Sequence, residues 1–129
     1  MKKSILIAAF IIGVGSLAGL ANVQADSSGQ KGFIVGHVIE ISTYGMKGGI
    51  EGLEKAMENR AEQGFPVGII EEDTGKLWVC VYRNSAPASG LETANAALKD
   101  YIAQKVIAQG LKFEHNGVNV IRFSNISEY

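Results

Sequence analysis

At 129 residues, with 47% hydrophobic and 19% charged side chains, the chain has the size and apolar content of one globular domain and not those of a disordered or collagenous segment. Its single cysteine excludes an intrachain disulfide, so burial of apolar side chains has to hold the fold together. Twelve basic against 13 acidic residues, a formal net charge of −1, leave no cationic surplus of the kind that nucleic acid or an anionic bilayer requires of a main partner.

The first 25 residues read as a secretory signal. Lys2 and Lys3 make a positive start, Ile5 to Val14 an apolar run, and Val23-Gln24-Ala25 places small residues where a signal peptidase reads. Cleavage is expected between Ala25 and Asp26, which predicts an exported protein, periplasmic or secreted, with no stable membrane anchor afterwards. The alternative, a spanning helix, needs roughly 20 apolar residues, and Gly13, Gly15, Gly19, Asn22 and Gln24 interrupt the second half of this stretch. Losing Lys2 and Lys3 from the 12 basic side chains leaves 10 against 13 acidic ones, a net charge of −3. Asp26 to Lys31 is small and polar and reads as a loose leader, and residues 32–129 form the domain.

From Gly32 to Ser42 the chain alternates Phe33, Val35, His37, Ile39 and Ile41 with Ile34, Gly36, Val38, Glu40 and Ser42, the period of a strand, with an interior glycine that marks a bend. "TYGMKGG" ends it in a loop. Ile50 to Gly64 follows as a helix: Ile50, Leu53, Met57 and Ala61 recur at helical spacing, Glu54, Glu58 and Glu62 form a solvated stripe, and Gly64 stands where a C-cap belongs. A hairpin is expected from Val67–Glu71 and Leu77–Arg83 around Asp73-Thr74-Gly75. A second helix, Leu91 to Ala103, opens on a capping box of Ser89 and Glu92. Two last strands fill Lys105 to Tyr129 around Asn116-Gly117, with Gly110 as a further bend.

The order is β-α-β-β-α-β-β: a mainly β chain with two helices. Five strands with glycine bends in the first and fourth, and a helix between the third and fourth, predict a five-stranded OB-fold-like barrel with a helix inserted between strands 1 and 2. A ferredoxin-like sheet would leave the fifth strand over.

At "GHVIEI", "QGFPVGIIEEDTGKLWV" and "KVIAQGLKFEHNGVNVIRFSNI" the chain resembles small exported bacterial proteins of uncharacterised function that have an OB-like domain and a comparable glycine, proline, valine, glycine turn before the second strand. It is also loosely similar in architecture to periplasmic bacterial OB-fold stress proteins. Some relatives of the first type carry cysteines where this chain has Thr43, Ala56 and Arg60, so the resemblance brings no thiolate metal site or disulfide with it.

On the third strand Trp78, Cys80 and Tyr82 share one face and Leu77, Val79 and Val81 the other. The all-aliphatic face is the expected barrel interior. The inserted helix, with its apolar stripe, is then expected to lie over Trp78, Cys80 and Tyr82, which makes Cys80 an inert core thiol. The alternative is an open platform in which Trp78, Tyr82, Tyr44 and Arg83 stack a glycan or an oligonucleotide. His37 and His115, the only histidines, would support a metal site only if the first and fourth strands brought them together, since their spacing matches no ligand motif. Glu71-Glu72-Asp73 is read as a solvated turn before it is read as a cation site. No GxSxG, HExxH, CxxC or phosphate loop occurs. The expected function is therefore a non-enzymatic exported module, without a cofactor, that binds a protein partner or small ligand through its loops and outer barrel face.

Overall fold

A computed structural model describes residues 29–82 and 93–129. Five strands, β1 (Gln30–Glu40), β2 (Val67–Glu71), β3 (Leu77–Tyr82), β4 (Lys105–His115) and β5 (Val118–Glu128), close into a barrel in the order β1-β2-β3-β5-β4. The β3 and β5 pair is parallel and the other four are antiparallel. The domain is mainly β, with α1 (Ile41–Lys47) and α2 (Glu54–Glu62) between β1 and β2, and α3 (Ala94–Leu98) followed by a single 3-10 turn (Lys99–Tyr101) before β4. The predicted cut between Ala25 and Asp26, Arg83, and the capping box of Ser89 and Glu92 lie outside the described residues. Among the described residues no helix is long and apolar enough to cross a membrane.

Closure depends on two glycines that the sequence marked as bends. Gly36 pairs with Glu71 of β2 on one side and Val106 of β4 on the other, and a Cβ there would stand 2.0 Å from the Ile70 carbonyl oxygen. At Gly110 a Cβ would stand 2.1 Å from the Arg122 carbonyl oxygen. Only a hydrogen fits at either crossing. Beside Gly110 the register slips: Gln109 faces Asn125 and Gly110 faces Phe123, so Ser124 is the extra residue of a bulge on β5. The β4–β5 turn has positive φ at both Asn116 (52°) and Gly117 (85°), as a two-residue hairpin whose twist matches its strands requires.

Four expectations are corrected. The first strand ends two residues early, because the Glu40 carboxylate accepts from the Ser42 and Thr43 amides and caps a helix that starts at Ile41. The region expected as a bare loop is therefore α1, and three helices replace the expected two. The inserted helix loses its first turn: Gly52 has φ +79° and Leu53 N–H donates to Ile50 O across a turn, so α2 begins only at Glu54. The helix before β4 is also shorter than Leu91–Ala103, starting at Ala94 with Thr93 Oγ1 accepting from the Ala96 amide.

The fourth correction concerns which face of β3 is inside. Val38, Ile69 and Trp78 stand directly opposite one another, as do Cys80 and Ile121, and all five are buried. Trp78 and Cys80 thus fill the barrel, while Leu77, Val79 and Val81 form its half-buried outer wall. The indole has the largest apolar area on the strand to remove from water, and its one polar atom needs a partner. It finds one inside, since Trp78 Nε1–H donates to Glu71 Oε1 at 3.0 Å. The stripe on α2 is satisfied elsewhere: Met57 and Ala61 are buried and the helix packs on β1, α1, α3 and the 3-10 turn. Asn95 of α3 secures the end of α2 by donating to the Ala61 and Phe65 carbonyls at 2.8 and 2.6 Å.

Candidate functional site

Among the described residues, the sequence-predicted ones do not assemble into one site. Trp78 is 1% exposed and offers no face for stacking; Lys112 Nζ lies 5.0 Å from its ring centroid. Tyr44 is on α1, packed against the core. Tyr82 stacks on Phe123 with ring centroids 5.0 Å apart. His37 pairs across β1–β4 with Lys105, at the start of β4, whereas His115 is the last residue of the same strand. Ten residues of strand separate those levels, roughly 33 Å at the usual rise, so the two imidazoles do not converge. Among the described residues no group of three or more His, Cys, Asp or Glu is placed to hold a metal ion.

The acidic run 71–73 is divided among different tasks. Glu71 accepts from Trp78 and from Thr74 Oγ1 (2.7 Å), and Glu72 pairs with Lys105 at 2.7 Å. Burial works to raise the Glu71 pKa, but the hydrogen bonds from Trp78 and Thr74, with Lys112 and Lys76 nearby, bring it below the ordinary value.

Cys80 is enclosed by the barrel, with its Sγ 3.8 Å from the Trp78 carbonyl, and burial pushes its thiol far above the ordinary 9.0. A thiol held protonated is neither nucleophile nor metal ligand.

Glu40 has the most polar contacts of the buried groups. It is fully buried and accepts from the Ser42 amide (2.8 Å), Ser42 Oγ (2.6 Å), the Thr43 amide (3.2 Å), Thr43 Oγ1 (2.5 Å) and Arg60 Nε (2.9 Å). Desolvation pulls its pKa up, and the Ser42 and Thr43 hydrogen bonds overcome that and bring it below 4.5. Arg60 also donates to Ser42 Oγ and lies 3.9 Å over the Phe65 ring. Every oxygen lone pair is engaged, which makes this a structural clasp joining β1, α1 and α2.

The outer wall of β1, β4 and β5 has the opposite character. Two adjoining depressions, of about 550 Å³ and about 270 Å³, share Gly110, Leu111 and Ser124, the place where the bulge interrupts the wall. The larger extends to Lys31 and Phe33, the smaller to Tyr82 and Arg122. Phe33 is 59% exposed. Lys31, Leu111 and Arg122 stand in one cross-strand row. With strands about 4.8 Å apart, the two cations flank Leu111 at a backbone separation of about 10 Å. No carboxylate lines either depression, and neither Lys31 nor Arg122 has an ion pair among the described residues.

The sequence reading missed this groove because its residues are far apart in the chain and gain meaning only from the pairing register. The available signal was Gly110 with an exposed aromatic, Phe33, on the facing strand. Comparison with family models, with curated protein sequences and with solved structures gives no match.

Proposed function

We propose that the chain is an exported, non-enzymatic binding module on an OB-fold barrel, and that it takes a protein partner or small ligand in the groove over Gly110. The strand order β1-β2-β3-β5-β4 with a parallel β3–β5 pair supports the OB assignment, as does a helical segment between β3 and β4. Export is supported by the Lys2-Lys3 start, the apolar run and Val23-Gln24-Ala25.

One observation carries the reading. The buried polar groups of the barrel are matched by partners, whereas the groove brings Phe33, Leu111, Lys31 and Arg122 together on the surface with both cations unpaired among the described residues. An apolar floor with a few placed polar groups is the composition of a binding site. The larger depression, about 550 Å³, is also in the size range of such sites, ~300–1,000 Å³.

The test is the fluorescent anion 1-anilinonaphthalene-8-sulfonate, which presents an apolar body and one negative charge. Binding to the mature chain should shift the backbone amide resonances of Lys31 to Phe33, Gly110, Leu111 and Ser124. Phe33→Ser should abolish most of the fluorescence gain without altering circular dichroism. Dye binding that leaves those amides unmoved and survives Phe33→Ser would place the ligand elsewhere and overturn the proposal.

A further inference from the structure

Resting on the groove reading, we infer that its partner is an extended acidic peptide segment of another protein, anchored by an apolar side chain over Leu111 and Phe33 and held by carboxylates on Lys31 and Arg122. Four observations point to this chemistry.

The first is charge. The mature chain is net negative, yet the groove is lined by two cations and no carboxylate. Such a positive island attracts acidic chains and repels basic ones, and complementary charge of this kind sets partner choice and encounter rate.

The second is spacing. Carboxylates two to four residues apart on an extended chain are separated by roughly 7 to 13 Å, which brackets the ~10 Å between the Lys31 and Arg122 backbones.

The third is shape. The depressions are more open than enclosed, whereas sites for small molecules enclose most of the ligand surface. A peptide needs only pockets for alternate side chains. It would not add a strand here, since Leu111 is already paired with Lys31 on one side and Arg122 on the other.

The fourth is residue type. Phe33, Tyr82 and Arg122 belong to the classes over-represented among interface anchors.

The experiment uses the mature chain and three labelled probes: a short peptide with a phenylalanine between glutamates, the same peptide with lysines for the glutamates, and an oligothymidylate. Fluorescence anisotropy should show the acidic peptide bound, weakened by added salt, and weakened at least ~tenfold by Lys31→Ala with Arg122→Ala. Replacing both cations by glutamate (Lys31→Glu, Arg122→Glu) should transfer the preference to the lysine peptide. The two substitutions are on the outer wall, and unchanged circular dichroism verifies that the variants are folded.

Equal binding of the acidic and basic peptides, or tighter binding of the oligothymidylate, overturns the peptide assignment. If the dye still occupies the groove in that case, the groove survives and only its partner class is wrong. If neither dye nor peptide shifts the groove amides, both fail together.

Discussion

Glu40 and Arg122 are both charged residues of barrel strands, and their surroundings differ in every respect. Glu40 is buried at the end of β1 where the helices gather, with five hydrogen bonds on its carboxylate, one of them from the Arg60 cation. Arg122 is exposed on β5, beside an apolar depression, with no carboxylate against it among the described residues. A charge removed from water is tolerated only when its partners replace the lost solvation. A charge kept in water beside apolar surface contributes almost nothing to the fold and is free to meet a ligand. The difference separates residues that hold this barrel from those that can be used by it.

The largest effect that sharpens the comparison comes from the closure points. Gly36→Val should destroy the cooperative thermal transition, because a Cβ 2.0 Å from Ile70 O forces β1 and β2 apart. A cost above ~4 kcal/mol is a large part of a small domain's stability. A folded Gly36→Val protein would mean that the barrel is not closed at that crossing.

Next is the clasp. Arg60→Ala leaves the Glu40 carboxylate buried without its cation, which costs about 3 kcal/mol, the low end for a buried pair because Arg60 is itself about one-third exposed. Denaturant unfolding measures it. A double variant with Glu40→Gln should lose less than the sum of the two single losses, since they share one interaction.

The same carboxylate sets an acid limit. The folded pKa of Glu40 lies below the ordinary 4.5, so the unfolded chain takes up its proton first as pH falls. Stability from this group is complete above 4.5 and is lost as pH drops from there through the folded value. Glu71 acts in the same direction over the same window. Stability followed downward in pH should fall below about 4.5, and the fall should be shallower in Glu40→Gln.

How much of this was readable in the chain follows from where each signal resides. Asn116-Gly117, the alternation of β1 and the break at Gly110 are local and appear where the residues put them, whereas Gly36 is a close crossing in unbroken register. The end of β1 was misread because Ile41 and Ser42 continue a strand pattern, and only the Glu40 side chain folding back on the amides of Ser42 and Thr43 ends it. The faces of β3 were reversed because "aliphatic inside" is a statement about hydrophobicity, and here an indole with a carboxylate partner buries more. The groove was invisible because Lys31, Leu111 and Arg122 become neighbours only through pairing between β1, β4 and β5.

Reversal of the β3 faces gives its own test. Glu71→Ala should cost roughly 1–3 kcal/mol by orphaning the buried indole N–H, and it should change the near-ultraviolet dichroism of Trp78. Cys80 should resist iodoacetamide in the native protein and react only on unfolding, as mass spectrometry reads. Rapid native labelling would return Cys80 to an outer face.

The smallest effect carries the comparison furthest. Lys31→Ala and Arg122→Ala should each change stability by less than about 0.5 kcal/mol, as exposed positions without partners do, so their thermal midpoints should stay within a few degrees of the parent. If Arg122→Ala instead destabilised the domain as Arg60→Ala does, Arg122 would belong with Glu40 among the residues that hold the barrel, and the groove would be a by-product of the Ser124 bulge. If both variants are neutral in stability while the acidic probe is lost, the fold has no use for these two cations. Their position on either side of Leu111 is then explained by what binds there.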